Sequence, residues 1–374
     1  MIKHITGIFF VVAIAGTLMI GNILGPAYAG APGFWTAGAP MIDPRTSSGV
    51  EGAAASEIAG KIYVSHGYRF GDRLFLSEYD IGTDSWTHGG AGLPDATVVR
   101  SEGAGAAVSG KHYSIGGRTG GGQADNEEFD PVAMSWTTKA PMPTARAIEH
   151  SVAVDSGKIY VIGGRTGGSP GSGGVLSTNE AYDVGTNTWT PLASLPTAVS
   201  DAAALSIGGK IYVFGGIDAA GIQLDLVQIY DIATDSWSAG AVMSTPRASL
   251  SAGMCGSQMH LMGGLGNVVT HEVYNPITNS WSADTVLPTG ISEVQGVSAG
   301  GKIYLIGSGA FGLSGSSNQI WTCAVNVIGG ELLPIDSTAL MLAGLQSSAI
   351  WMLPVLAGVA GVGAFYIKTR MNKD

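Results

Sequence analysis

The stretch that decides the fold begins Lys158-Ile159-Tyr160-Val161-Ile162-Gly163-Gly164, passes through Glu180-Ala181-Tyr182-Asp183 and ends at Thr188-Trp189. It reads as an apolar strand opened by lysine, a glycine pair, a loop, a second strand closing in Tyr-Asp, a tight turn and a tryptophan. Working outward, the same order recurs. Lys61, Lys111, Lys210 and Lys302 open equivalent strands, and Gln258 opens one more. Glycine pairs stand at Gly116-Gly117, Gly215-Gly216 and Gly263-Gly264, weakening to His66-Gly67 and Gly307-Ser308 in the outermost units. The second strand closes on Tyr79-Asp80, Phe129-Asp130, Tyr230-Asp231 and Tyr274-Asn275. Trp86, Trp136, Trp189, Trp237 and Trp281 follow at spacings of 44 to 53 residues. A period near 50 with four short strands per unit predicts the blades of a propeller.

The double glycine, the aromatic residue seven positions before a tryptophan, and the period resemble the kelch family over residues 34–326. The resemblance implies an all-β, six-bladed β-propeller. With strands A to D counted from the central channel outward, the sixth unit supplies A (293–299), B (302–307) and C (318–325), and no D. Phe34-Trp35-Thr36-Ala37-Gly38-Ala39-Pro40-Met41 looks like the D strands at Ser135–Met142 and Ser236–Met243. An N-terminal D strand is therefore expected to close the last blade, which removes open sheet edges. The recurring Trp, Tyr and Gly positions read as structural.

Composition agrees with many short elements. Of 374 residues, 58 are glycine, only 12% are charged and 45% are hydrophobic. That balance excludes a disordered chain, and the absence of a G-X-Y period or a heptad excludes collagen and coiled coil. The N-terminus has a basic start, an apolar run from Ile5 to Leu24 and Ala27-Tyr28-Ala29, which predicts a signal peptide over 1–29 or an uncleaved anchor. Ala349 to Ile367 is apolar and uncharged over 19 residues, followed by Lys368, Arg370 and Lys373. This predicts a transmembrane helix over 349–367, a cytoplasmic tail over 368–374, a propeller outside over 30–326 and a stem over 327–348. The part outside carries 14 basic and 27 acidic residues, which argues against a nucleic-acid partner. Cys255 and Cys323 fall on different strand types of adjacent blades, an arrangement that favours two buried free thiols, although an outside compartment permits a disulfide.

The channel carries the sharpest pattern. Nine residues before the lysine of strand B stand Glu102, Glu149, Asp201 and Glu293; Glu51 is ten before Lys61, an offset that one hairpin residue would absorb, and the fifth blade has Ser249. Arg100, Arg146 and Arg247 precede this position, and His150 follows Glu149. The expected site is an acidic, arginine-flanked pocket at the channel mouth, on the face of the long B–C and D–A loops. Clustered carboxylates raise one another's pKa or recruit a cation, so calcium is the candidate ion. Arg118 and Arg165 sit in Gly-Gly-Arg-Thr-Gly-Gly segments at 116–121 and 163–168, with neither the helix nor the Lys-Ser/Thr of a phosphate loop. They are expected on the binding-face loops.

The kelch resemblance implies a binding module for a protein, glycan or ion. Enzymes similar to galactose oxidase need copper held by Tyr and His with a Tyr–Cys link, and no His pair here matches. Enzymes of the sialic-acid mutarotase type need only acids, bases and arginines in a central pocket, and imply a sugar-directed alternative. The stretch from Ile328 to Gln346 and the apolar run after it resemble C-terminal anchor modules of surface proteins from ammonia-oxidising archaea. That resemblance implies a single-pass cell-surface protein attached to the membrane by its C-terminal helix.

Overall fold

The computed structural model describes residues 33–42, 50–68, 71, 73–90, 92–167, 174–307 and 317–323, with a strand pair at Asn326–Ile328 and Glu331–Leu333. The expected signal segment, the rest of the stem, the membrane span and the tail lie outside these residues. So do parts of two long loops, 168–173 and 308–316. Among the described residues, no helix is long and apolar enough to cross a membrane.

Six four-stranded antiparallel sheets form the blades. The innermost strands are Ala54–Ile58, Ala104–Val108, Val152–Asp155, Ala203–Ile207, Ser251–Cys255 and Gln295–Ala299. Each touches the inner strands of both neighbours, and the first touches the last, so the sheets close into a ring. The sixth blade takes its outer strand from the N-terminus, as expected. Phe34–Ala37 pairs with Ser317–Thr322, with Trp35 opposite Trp321.

The repeat residues explain why the blades adhere. Strand C and strand D place an aromatic pair side by side, as in Tyr182–Trp189 and Tyr230–Trp237, each with ring centroids 5.1 Å apart. Each D-strand indole N–H then donates to a carbonyl of the preceding blade: Trp86 to Ala39, Trp136 to Pro94, Trp189 to Ala140, Trp237 to Ala193, Trp281 to Ala241 and Trp35 to Thr285, all at 2.7–3.0 Å. Four turns add a second link. Asp84, Asn187, Asp235 and Asn279 each accept from their own blade's tyrosine hydroxyl and from a backbone N–H of the blade before. The glycine pair has an equally local reason. Gly163 and Gly164 adopt φ of +65° and +99°, and a Cβ on either would lie 2.4 Å from a backbone oxygen of a neighbouring segment.

The cysteines correct the expectation of free thiols, because Cys255 and Cys323 form a disulfide. They do lie on different strand types of adjacent blades, but those strands end together. Cys255 ends strand A of the fifth blade. Cys323 follows strand C of the sixth, where its N–H donates to Gly301 O in the A–B hairpin. The Cα atoms are 5.6 Å apart, within bridging range. The bond closes a separation of 68 residues and ties the closing blade to its neighbour. Replacing both cysteines by alanine is expected to cost about 2–4 kcal/mol in urea unfolding. Reductant should lower the wild-type midpoint and leave that of the double variant unchanged.

Candidate functional site

Two residues ahead of five inner strands, and three ahead of Val152–Asp155, the chain turns through the left-handed region. Gly52, Glu102, Glu149, Asp201, Ser249 and Glu293 occupy equivalent places with φ from +48° to +58°. Backbone bonds join them around the axis: Glu102 N–H to Gly52 O, Gly52 N–H to Glu293 O, Glu293 N–H to Ser249 O, Ser249 N–H to Asp201 O and Glu149 N–H to Glu102 O. Five of the six are not glycine, although this conformation costs a side-chain-bearing residue on the order of 1 kcal/mol or more.

The expected acid ring therefore exists, with one correction. In the first blade the ring position belongs to Gly52. The A–B hairpin there has the same two-residue turn as its neighbour (Ile58 opposite Lys61, Val108 opposite Lys111), so no extra residue absorbs the offset. Glu51 lies one position earlier, where its backbone pairs with Tyr68 as Ser101 pairs with Arg118. It remains buried and close enough to Glu293 to act on its charge.

The arginines exchange roles. Arg100, Arg146 and Arg247 do not flank the channel. Their guanidiniums turn outward into their own blades and pair with strand-C carboxylates: Arg100 with Glu127 (2.6 Å), Arg146 with Glu180 (2.5 Å) and Arg247 with Glu272 (2.5 Å). Each also donates to a strand-B carbonyl or its neighbour, Ser114, Val161 and Gly263 respectively. The guanidiniums that meet the ring belong to the loop residues. Arg165, fully buried, donates to Asp201 and Glu102 and lies 3.9 Å from Glu149. Arg118, partly exposed, pairs with Glu102 at 2.6 Å. Arg165 thus stands among three carboxylates from three blades, where an isolated cation had been the alternative.

Two arginines do not neutralise the four ring acids, Glu102, Glu149, Asp201 and Glu293. Burial, reinforced by Asp201 and Glu293, holds the Glu149 carboxyl well above the usual range, and neither of its oxygens has a hydrogen-bond partner. Burial and the charges of Glu102, Glu51 and Asp201 push Glu293 up to about 7. Glu102 is raised too, burial outweighing Arg165 and Arg118. Burial works against the charge on Arg165, yet Asp201, Glu149 and Glu102 outweigh it and keep that residue protonated. His150 reaches across to Leu250 O through Nδ1 at 3.2 Å, leaves Nε2 without a partner, and is lowered by burial to about 4. The site therefore combines a fixed guanidinium, a carboxyl whose proton burial favours, a carboxyl titrating near neutrality and a neutral imidazole. Towards the short-turn face, the channel opens into a cavity of about 430 Å³ lined by inner-strand residues such as Ala55, Gly105, Ala153, Ala204 and Gly296.

Sequence reading missed two further groups. His66 and His112 form a sealed network with Ser56, Ser65, Ser114 and Glu127 between the first two blades. His260, His271 and Asp284 cluster in the fifth blade.

Residues 103–309 match the family described as the KLHDC2/KLHL20/DRC7 Kelch-repeats domain. Over 167 residues the chain is 29% identical to Kelch-like protein 35 of Mus musculus, covering 44% of this chain and 26% of that protein. It thus spans about a quarter of the length of this curated relative. A solved structure described as "Structure of YjhT" superposes with a TM-score of 0.64 at 17% identity, over 78% of this chain and 99% of that one. At that identity the likeness is one of fold.

The raised pKa of Glu293 has a measurable sign. Protonation is favoured in the folded state, so its stabilisation is complete below about pH 4.5 and is lost as pH rises to about 7. Glu293→Gln should flatten that loss, by on the order of 2–3 kcal/mol between pH 4.5 and 7.5 in urea unfolding. Parallel pH profiles for the two proteins would contradict the assignment.

Proposed function

The chain belongs to the kelch-repeats family, and on that premise we propose that it is a binding module that captures its ligand at the axis on the long-loop face. The observation that carries this reading is Glu149, a buried carboxyl with both oxygens unpartnered, beside Arg165 and in a strained backbone position. Buried polar groups are ordinarily satisfied, so this one is suited to a partner that brings its own hydrogen bonds. Burial favours the proton on Glu149, and a carboxyl that keeps its proton donates as well as accepts, while the partly exposed Arg118 supplies charge at the rim. That set fits the hydroxyls of a glycan or a polar side chain of a protein. Calcium, the ion considered, has Glu149 and Glu293 left to it among the ring acids, because Arg165 and Arg118 occupy Glu102 and Asp201. In this reading residues 1–29 direct export, 349–367 cross the membrane as in the archaeal anchor modules, and the propeller faces outward.

A second reading, a sugar-directed enzyme of the sialic-acid mutarotase type, draws on the raised carboxyls of the ring. Carboxyls raised towards neutrality suit proton transfer to and from a bound sugar. Here Glu149 and Glu293 would exchange protons with a sugar while Arg165 or Arg118 holds its carboxylate.

The test is thermal unfolding of the full-length chain with calcium and with a panel of neutral and acidic sugars. A ligand present at about 100 times its Kd should stabilise the fold by roughly 2–3 kcal/mol, and Glu102→Gln with Glu149→Gln should abolish the shift. No shift across the panel would overturn the axial site. Anomer exchange of a bound sugar, followed by NMR, separates the enzyme from the binder.

A further inference from the structure

The fifth blade departs from the repeat at three places that meet in space. The third residue of strand B is tyrosine in five blades (Tyr63, Tyr113, Tyr160, Tyr212 and Tyr304) and His260 in this one. The strand-C residue facing the end of strand B is Asn126, Asn179 or Asn318 in three other blades and His271 here. The residue just after strand D, whose N–H returns to that strand-C position, is Gly38, Gly89 or Gly240 in three other blades and Asp284 here. None of the three substitutions follows from the needs of the fold, since the other blades pair and close without them.

Their donor atoms lie within 4.8 Å of one another. His260 Nδ1 is 2.8 Å from His271 Nε2 and 3.9 Å from an Asp284 oxygen. The second ring nitrogen of His271 is fixed: Nδ1 donates to Thr285 O at 3.0 Å, which leaves Nε2 as the lone-pair nitrogen. A backbone carbonyl orienting an imidazole in this way is the usual outer support of a metal-ligating histidine. Both imidazoles are buried, and Asp284 is partly exposed, so the cluster has an open side towards solvent. Trp321 packs edge-on against His271 at 4.7 Å and Trp35 lies at 5.6 Å, which gives the cluster apolar walls.

We propose that His260, His271 and Asp284 form a binding site for a divalent first-row transition metal of the zinc type. Two imidazole nitrogens and one carboxylate oxygen are the mixed donor set that zinc takes with a fourth position left open. Donors about 2.1 Å from a tetrahedral ion stand about 3.4 Å apart, so the histidines part slightly and Asp284 closes in. The ion takes the place of the hydrogen bond between His260 Nδ1 and His271 Nε2, and the Nδ1 proton passes to Nε2 of His260. The site lies at the seam with the closing blade, off the axis and separate from the acid ring.

Zinc titration of the full-length chain, purified without a polyhistidine tag and stripped with EDTA, tests this. Calorimetry should give one site per chain and a higher melting temperature, and cobalt should produce a visible absorption band of tetrahedral type. His260→Tyr and His271→Asn restore residues that other blades carry, so both variants should melt in EDTA as the wild type does. Each should weaken zinc binding at least about tenfold. If either fails to fold, Asp284→Gly, at a partly exposed position, takes its place. A wild-type chain that ignores zinc overturns the proposal, as does binding that survives these substitutions or disappears with Glu149→Gln.

Discussion

Every blade of this ring is attached to the one before it by an indole N–H, and the attachment returns to its start when Trp35 donates to Thr285. A four-stranded sheet has two faces to cover, and here each is covered by the next blade. The aromatic pair of strands C and D therefore acts twice. Its rings fill the space within a blade, and its N–H fixes the register between blades. Asp84, Asn187, Asp235 and Asn279 show the same economy, each binding a tyrosine hydroxyl of its own blade and a backbone N–H of another. Because the links run in one direction, the last has no partner unless the N-terminal strand joins the sixth sheet. Closure is thus a condition on all six blades, not a detail of one.

The same geometry makes the axis an unfavourable place for charge. Six chain segments converge there, each turning through positive φ, and they bury Glu102, Glu149 and Asp201. Glycine would satisfy the backbone, as Gly52 does, yet four blades hold carboxylates. Desolvation of those acids is only partly offset by Arg165 and Arg118, and the remainder appears as proton affinity at Glu149 and Glu293. Stability alone gives no reason to retain such a group. The three outer pairs, by contrast, are matched charge for charge. Where strand C carries Glu127, Glu180 or Glu272 the preceding loop carries arginine. Where it carries Gln228 or Gln319, the loop carries Val199 or Ile291, and the glutamine bonds Thr197 or Thr289 instead.

That matching shows why part of the site was legible and part was not. Blade number, strand order and the closing strand follow from spacing, because a repeated local pattern leaves few ways to pair the strands. The ring acids follow from one constant offset to the strand-B lysine. Side-chain direction does not follow from an offset. Arg100 and Glu102 are two apart in sequence, but the left-handed turn at Glu102 sends one inward while the other stays within the blade. The signal that identifies the outer pairs is the co-occurrence of arginine and glutamate in the same three blades. The signal for Arg118 and Arg165 is weaker: they follow the glycine pair at a position that is Tyr68, Ile217 or Leu265 elsewhere. The disulfide was hidden because strand identity says which blade a cysteine belongs to, while bridging depends on where neighbouring strands end.

Departures from the repeat are not spread evenly. The fifth blade has a serine where four others place an acid in the ring. It also carries the His260–His271–Asp284 cluster and one end of the disulfide. The sixth supplies the other cysteine, and Trp321 where strand C of the other blades has Tyr or Phe. All of these meet at one seam, and it is the seam beside the blade completed from both ends of the propeller. Entropy makes that contact the hardest to hold, since it joins residues 250 apart in sequence through Trp35 and Thr285. A covalent bond and the packed indoles of Trp35 and Trp321 are what a closed ring needs at its weakest joint. The two histidines and the aspartate remain over after that need is met, which is the physical reason to assign them a ligand and not a share in closure.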